Sequence, residues 1–187
     1  FGFLNGLMSV NIITSIVALF VFATGISGIS RAISPLFFLM AFLYGIFTLA
    51  SQSFYITAVK GGSVSICSLI YASCFIIPTI YSVIRNGETV GLYKGLGIAF
   101  MIFSVILVSL KNNTDKNFSQ KSIKYALLAM CSAGSVGILQ KEFGNIYPQN
   151  LLDTFLLLAF FFMLIASVMF KIFISTRIKK QPVIYNK

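Results

Sequence analysis

The sequence predicts an all-α integral membrane protein, a bundle of about six transmembrane helices, and three observations predict it. Hydrophobic residues make up 58% of the 187-residue chain and charged residues only 10%, against about 25% charged in a soluble domain. Mean hydropathy is +0.95. Long apolar runs recur from end to end, and a water-soluble core of this length could not hide so much apolar surface. Open strands would leave unpaired edges in lipid, so the spans are helices.

A helix needs about 20 apolar residues to cross the hydrocarbon layer. Six stretches qualify: Leu4 to Ile29, Pro35 to Val59, Ser63 to Ile84, Leu92 to Leu110, Ser122 to Phe143 and Leu151 to Ile174. Their boundaries carry the expected punctuation. Ser34-Pro35 is an N-cap followed by proline at the first helical position. Lys60-Gly61-Gly62-Ser63 ends one helix and caps the next. Arg85-Asn86-Gly87-Glu88 is a polar turn, and residues 144–150, with Pro148, separate the last two spans. The longest hydrophilic linker, residues 111–121, divides residues 1–110 from residues 122–187. The chain begins at Phe1 without a basic leader, so no signal peptide is expected. Together with the basic tail after Arg177, this start predicts an interior piece of a longer protein.

Small residues recur at four-residue steps: Gly91, Gly95 and Ala99 in the fourth span, Ala129, Ala133 and Gly137 in the fifth. Such ladders let helix backbones approach closely in lipid. The ladder of the fourth span also offers a surface for a homodimer. The three cysteines, Cys67, Cys74 and Cys131, lie inside apolar runs and are expected to act as small packing residues. Cys67 and Cys74, seven residues apart on one helix, are held too far apart for a disulfide.

Polar groups within a span need a partner or a wet cavity. In the second span Tyr44, Thr48, Ser51 and Tyr55 share a face, and Gln52 is the costliest side chain there to bury alone. The third span has Ser68, Tyr71, Phe75, Pro78 and Ser82 at similar spacing. The first contributes Asn11, Thr14 and Ser15. Either these stripes line a central cavity, or each residue bonds within or between helices. The candidate substrate-binding residues are Asn11, Tyr44, Thr48, Gln52, Tyr55, Ser68, Tyr71 and Pro78. Pro78 cannot donate to Cys74, which predicts a kink or local unwinding in the third span. Broken helices of this kind recur at transporter sites.

The chain contains no histidine. Its four acidic residues, Glu88, Asp115, Glu142 and Asp153, fall at or near helix ends. No nucleophile pairs with a base, no metal-ligand cluster is present and no phosphate loop follows a strand, so neither an enzyme nor a cofactor is expected. The formal charge of +10 sits mostly at helix ends and in linkers, where membrane topology explains it better than nucleic acid does.

Residues 54–110 carry an ordered set of features: Tyr55 at an aromatic helix end, Ala58-Val59-Lys60, a small-residue-rich helix from Ser63 to Ser73, Pro78, Glu88, then Gly95 and Gly97 before an aliphatic run. This combination resembles the EamA-like families of the drug/metabolite transporter superfamily. Ser104 and Ser109 stand where further small residues of that pattern are expected. The resemblance implies ten helices in two inverted five-helix repeats. The first four spans match the second to fifth helices of one repeat, and the last two begin the other. One helix before Phe1 and three after Lys187 would then complete the protein. It also implies that Pro78 and its neighbours border the substrate cavity, and that Glu88 ends a helix near Arg85, a pair of little energetic weight if exposed.

The expected function is membrane transport of small metabolites, such as amino acids or drugs, by alternating access, with export from a bacterial inner (plasma) membrane. A non-transporting membrane scaffold is the alternative. The partners expected are a small-molecule substrate and the lipid bilayer, not nucleic acid. Lysine and arginine are split ten to four between alternating sides, which places the 111–121 linker in the cytoplasm. The family layout with a cytoplasmic N-terminus places it outside.

Overall fold

A computed structural model describes residues 2–23, 34–87, 91–111 and 120–179. Among these the secondary structure is helical, without strands. The α-helices are α1 (Gly2–Val21), α2 (Pro35–Gly61), α3 (Val64–Ala72), α4 (Ile76–Asn86), α5 (Leu92–Lys111), α6 (Gln120–Ile146) and α7 (Leu152–Lys179). A 3₁₀ turn at Ser73–Phe75 joins α3 to α4, and another at Gln149–Leu151 leads into α7.

Among the described residues four segments are long and apolar enough to cross a membrane: Pro35–Gly61, Val64–Arg85, Gln120–Ile146 and Gln149–Phe173. Six such segments were expected. The other two helices, α1 and α5, carry shorter described apolar stretches, Gly6–Val21 and Gly95–Ser104. Large apolar side chains face outward along the rods, including Phe20, Phe75, Phe100 and Met169. This is the inverse of a water-soluble surface and suits lipid as the surrounding solvent.

The helix ends follow local chemistry. The Ser34 carbonyl accepts from the Phe37 and Phe38 amides at 3.0 and 3.3 Å, which starts α2 with Pro35 in its first turn. Ser63 opens α3 through its carbonyl, which accepts from the Cys67 amide at 3.1 Å; its side chain makes no capping bond. Gly87 closes α4 in the left-handed conformation, φ 63°, where glycine has no Cβ to clash. The expected partner of Arg85, Glu88, lies outside the described residues, as do most of residues 111–121. α6 runs past Gly144 to Ile146, and α7 runs past Ile174 to Lys179. Lysine, glutamine and glutamate favour helix and reach from the apolar rod toward water, so the helices outlast their apolar cores.

The break expected at Pro78 is present one turn upstream. Amides at the end of the Ser73–Phe75 turn reach the Ser73 and Cys74 carbonyls. The Cys74 carbonyl, which proline leaves without its helical donor, is thereby satisfied by tighter i→i+3 bonding.

The chain forms two compact units. The first comprises Phe1–Leu49 and Tyr147–Lys187, the second Ala50–Ile146. α2 runs from one into the other. In the first unit α1 packs against α7. Phe22 stacks on Phe160 at 6.1 Å, and the Lys171 ammonium donates to Ser9 Oγ at 3.0 Å, so the two helices run antiparallel. The first half of α2 lies on α7 through Phe37 and Gly45. A Cβ placed on Gly45 would stand 2.5 Å from the Ala159 carbonyl oxygen. Phe37 meets Phe155 edge-on at 6.0 Å.

In the second unit the Gly61-Gly62 turn folds α3 back along α2. Ala58, Cys67 and Ala126 are fully buried where α2, α3 and α6 meet, with Tyr55, Val59 and Ile70 packed on them. Cys67, Cys74 and Cys131 are free thiols. α4 and α6 run parallel: Gly134 accommodates Ile77, and three residues on Gly137 accommodates the Pro78 ring.

Candidate functional site

The hairpin of α2 and α3 brings three of the predicted residues into contact. Thirteen residues separate Tyr55 from Ser68, and the reversal at Gly61-Gly62 sets them side by side, with Tyr55 Oη and Ser68 Oγ 2.8 Å apart. Tyr71 lies one turn beyond Ser68 on the same face of α3, and its ring centroid is 4.7 Å from that of Tyr55, tilted by 38°. All three side chains are half-buried. The fully buried Ala58–Cys67–Ala126 cluster anchors this patch from one end.

Gln52 precedes Tyr55 by three residues and shares its face of α2. It is half-buried, and its amide has no hydrogen-bond partner among the described residues. Gln52, Tyr55, Ser68 and Tyr71 present an amide, two phenols, a hydroxyl and two ring faces. None of them is a carboxylate, an amine, a guanidine or an imidazole. Such a set can hydrogen-bond a polar solute and stack on an apolar or cationic one, but it offers no acid–base pair. No group of residues suited to a metal ion occurs among the described residues.

Pro78 is buried, and its ring rests on the open face of Gly137. Asn11, Tyr44 and Thr48 belong to the other compact unit. Tyr44 meets Phe155 edge-on at 5.3 Å, and its carbonyl accepts from the Thr48 hydroxyl at 2.7 Å. Asn11 is 1% exposed, and its Nδ2 has no partner among the described residues. Its carbonyl accepts from Ser15 Oγ at 2.8 Å.

A second polar cluster escaped the sequence reasoning. Tyr81 on α4 donates to Glu142 Oε1 on α6 at 2.8 Å. Lys141 on α6 donates to the buried Ser82 on α4. Arg85 follows Tyr81 by one turn of α4 and is exposed. The signal was present in the spacing: the ladder Ala129, Ala133, Gly137 reaches Lys141 at its next step, and Pro78 reaches Ser82. Extending both by one turn predicts the contact.

Comparison with known protein families, curated proteins and solved structures finds no match for this chain.

Proposed function

We propose that the chain is part of a membrane carrier of small metabolites, amino acids or drugs among them, working by alternating access in a bacterial plasma membrane. The observation that carries this proposal is the polar face formed by Gln52, Tyr55, Ser68 and Tyr71 in a setting of apolar helices. Three of these residues touch, all are half-buried, and the Gln52 amide lacks a partner among the described residues. An amide without a partner in an apolar span is costly unless water or a solute reaches it. The interrupted helix before Pro78 adds a hinge of the sort that recurs in carriers. In this proposal the six helical rods, with α3 and α4 counted as one, are spans of two incomplete five-helix repeats divided at residues 111–121. Gly91, just before α5, and Gly97 within it meet nothing within 4 Å among the described residues. Those positions are open to further helices or to a second copy.

The test is solute uptake by the full-length protein in liposomes, screened across amino acids, cationic drugs and neutral metabolites. Gln52→Ala and Tyr55→Ala are expected to change flux while insertion and folding persist. Normal flux in both variants removes this face from the transport path.

A non-transporting scaffold is the second candidate. The close contacts of Gly45 with the α7 backbone and of Gly134 and Gly137 with the Ile77 and Pro78 side chains favour it, because tight small-residue packing alone suffices to hold a membrane assembly. A scaffold leaves liposomes impermeable to every solute in the screen.

A further inference from the structure

We propose that the ends of α4 and α6 form a binding site for the headgroup of a phospholipid carrying a primary ammonium, such as phosphatidylethanolamine. The site rests on these two helices spanning the bilayer and is independent of carrier activity.

Four contacts lie along the two parallel helices: Ile77 with Gly134 and Pro78 with Gly137 come first, and about one turn on come Ser82 with Lys141 and Tyr81 with Glu142. The first two are apolar and tight, and the last two are polar. The polar pair lies four or five residues before the helix ends at Asn86 and Ile146, a depth of about 6–8 Å at helical rise. That is where a membrane-spanning helix meets the headgroup layer.

In this cluster Tyr81 donates to Glu142, and Ser82 takes the Lys141 ammonium. Glu142 makes no ion pair among the described residues, and only one of its two oxygens has a hydrogen-bond partner there. Opposite charges near an apolar medium attract strongly and close on each other unless something lies between them. Here the Tyr81 hydroxyl occupies one Glu142 oxygen and leaves the other open, and Arg85, one turn past Tyr81 on α4, is exposed. A headgroup with a phosphate and a primary ammonium matches both at once. The phosphate suits Arg85, whose planar fork grips oxyanions. The ammonium supplies N–H donors for the open oxygen of Glu142. A choline headgroup has the same charges but no N–H to donate.

Lipid binding to the detergent-solubilised full chain, followed by native mass spectrometry, tests the site. The probes are phosphatidylethanolamine, its mono- and dimethyl derivatives and phosphatidylcholine with matched acyl chains. Binding is expected to weaken along the methylation series by about tenfold in all, the worth of a charge-assisted hydrogen bond. Glu142→Gln should bind all four lipids alike. Tyr81→Phe, which frees Glu142 to close on Arg85, should also lose the preference. Arg85→Gln should weaken binding across the whole series. Equal binding of all four lipids by the wild-type protein overturns the site without recourse to any variant, as does a preference that survives Glu142→Gln. Absence of binding to every lipid overturns both the site and the membrane placement beneath it.

Discussion

At Asn11 a buried amide nitrogen stands without an acceptor among the described residues, 1% exposed on α1. A buried donor left unsatisfied costs about 1–3 kcal/mol. Asn11→Leu, similar in volume and free of that donor, is therefore expected to raise stability by about that amount in denaturant titrations of the detergent-solubilised protein. If Asn11 serves transport, flux falls in the same variant, and the two measurements separate packing from use. Tyr55 is the opposite case, since its hydroxyl is bonded. Tyr55→Phe should destabilise by about 0.5–1.5 kcal/mol, typical of such a bond between helices. The double variant with Ser68→Ala should cost little more than either alone, because both substitutions remove one interaction. Residue types and spacing made Gln52, Tyr55, Ser68 and Tyr71 legible as polar positions on apolar helices. They did not reveal which of them touch. Thr48 was legible only as polar, and its hydroxyl turns back to the Tyr44 carbonyl of its own helix. That choice depends on a side-chain rotamer, which spacing leaves open.

Glycine contacts separate the helices that must lie close from those that need not. A Cβ on Gly45 would meet the Ala159 carbonyl oxygen at 2.5 Å and the Met163 nitrogen at 3.1 Å, both backbone atoms that yield only if a helix shifts. Gly45→Ala should therefore destabilise by about 1–3 kcal/mol. Gly6 on α1 has nothing within 4 Å, and Gly6→Ala should stabilise by about 0.5–1 kcal/mol through helix propensity alone. Thermal unfolding in detergent compares the two, and equal effects would contradict the packing described for α2 and α7. The small-residue ladder of the fifth span proved to be a contact face of α6, with Gly137 under the Pro78 ring. Of the fourth-span ladder, Gly91 has open space around it among the described residues. Identical four-residue spacing gave different outcomes because spacing shows that a face is narrow, not what lies opposite. Proline chemistry was more telling: Pro78 removes one donor from a known carbonyl, and the 3₁₀ turn at Ser73–Phe75 follows.

For the molecule as a whole, composition alone was enough to fix the class. Few charges, long apolar runs and outward-facing phenylalanines all describe rods made for lipid. The Tyr81–Glu142 cluster was missed although the spacing pointed to it, because charges near helix ends look like solvated tips until two helices are known to run parallel. What distinguishes a carrier from a packed scaffold is whether water reaches the face bearing Gln52. The most direct measurement uses a full-length protein in which Cys67, Cys74 and Cys131 are replaced by alanine and a single cysteine is introduced as Gln52→Cys or, on the exposed apolar surface of α2, Phe42→Cys. Each is treated in sealed vesicles with a charged, membrane-impermeant thiol reagent. The account predicts that the cysteine at position 52 reacts readily and the one at position 42, facing lipid, does not. A position 52 that reacts no faster than position 42 would contradict it.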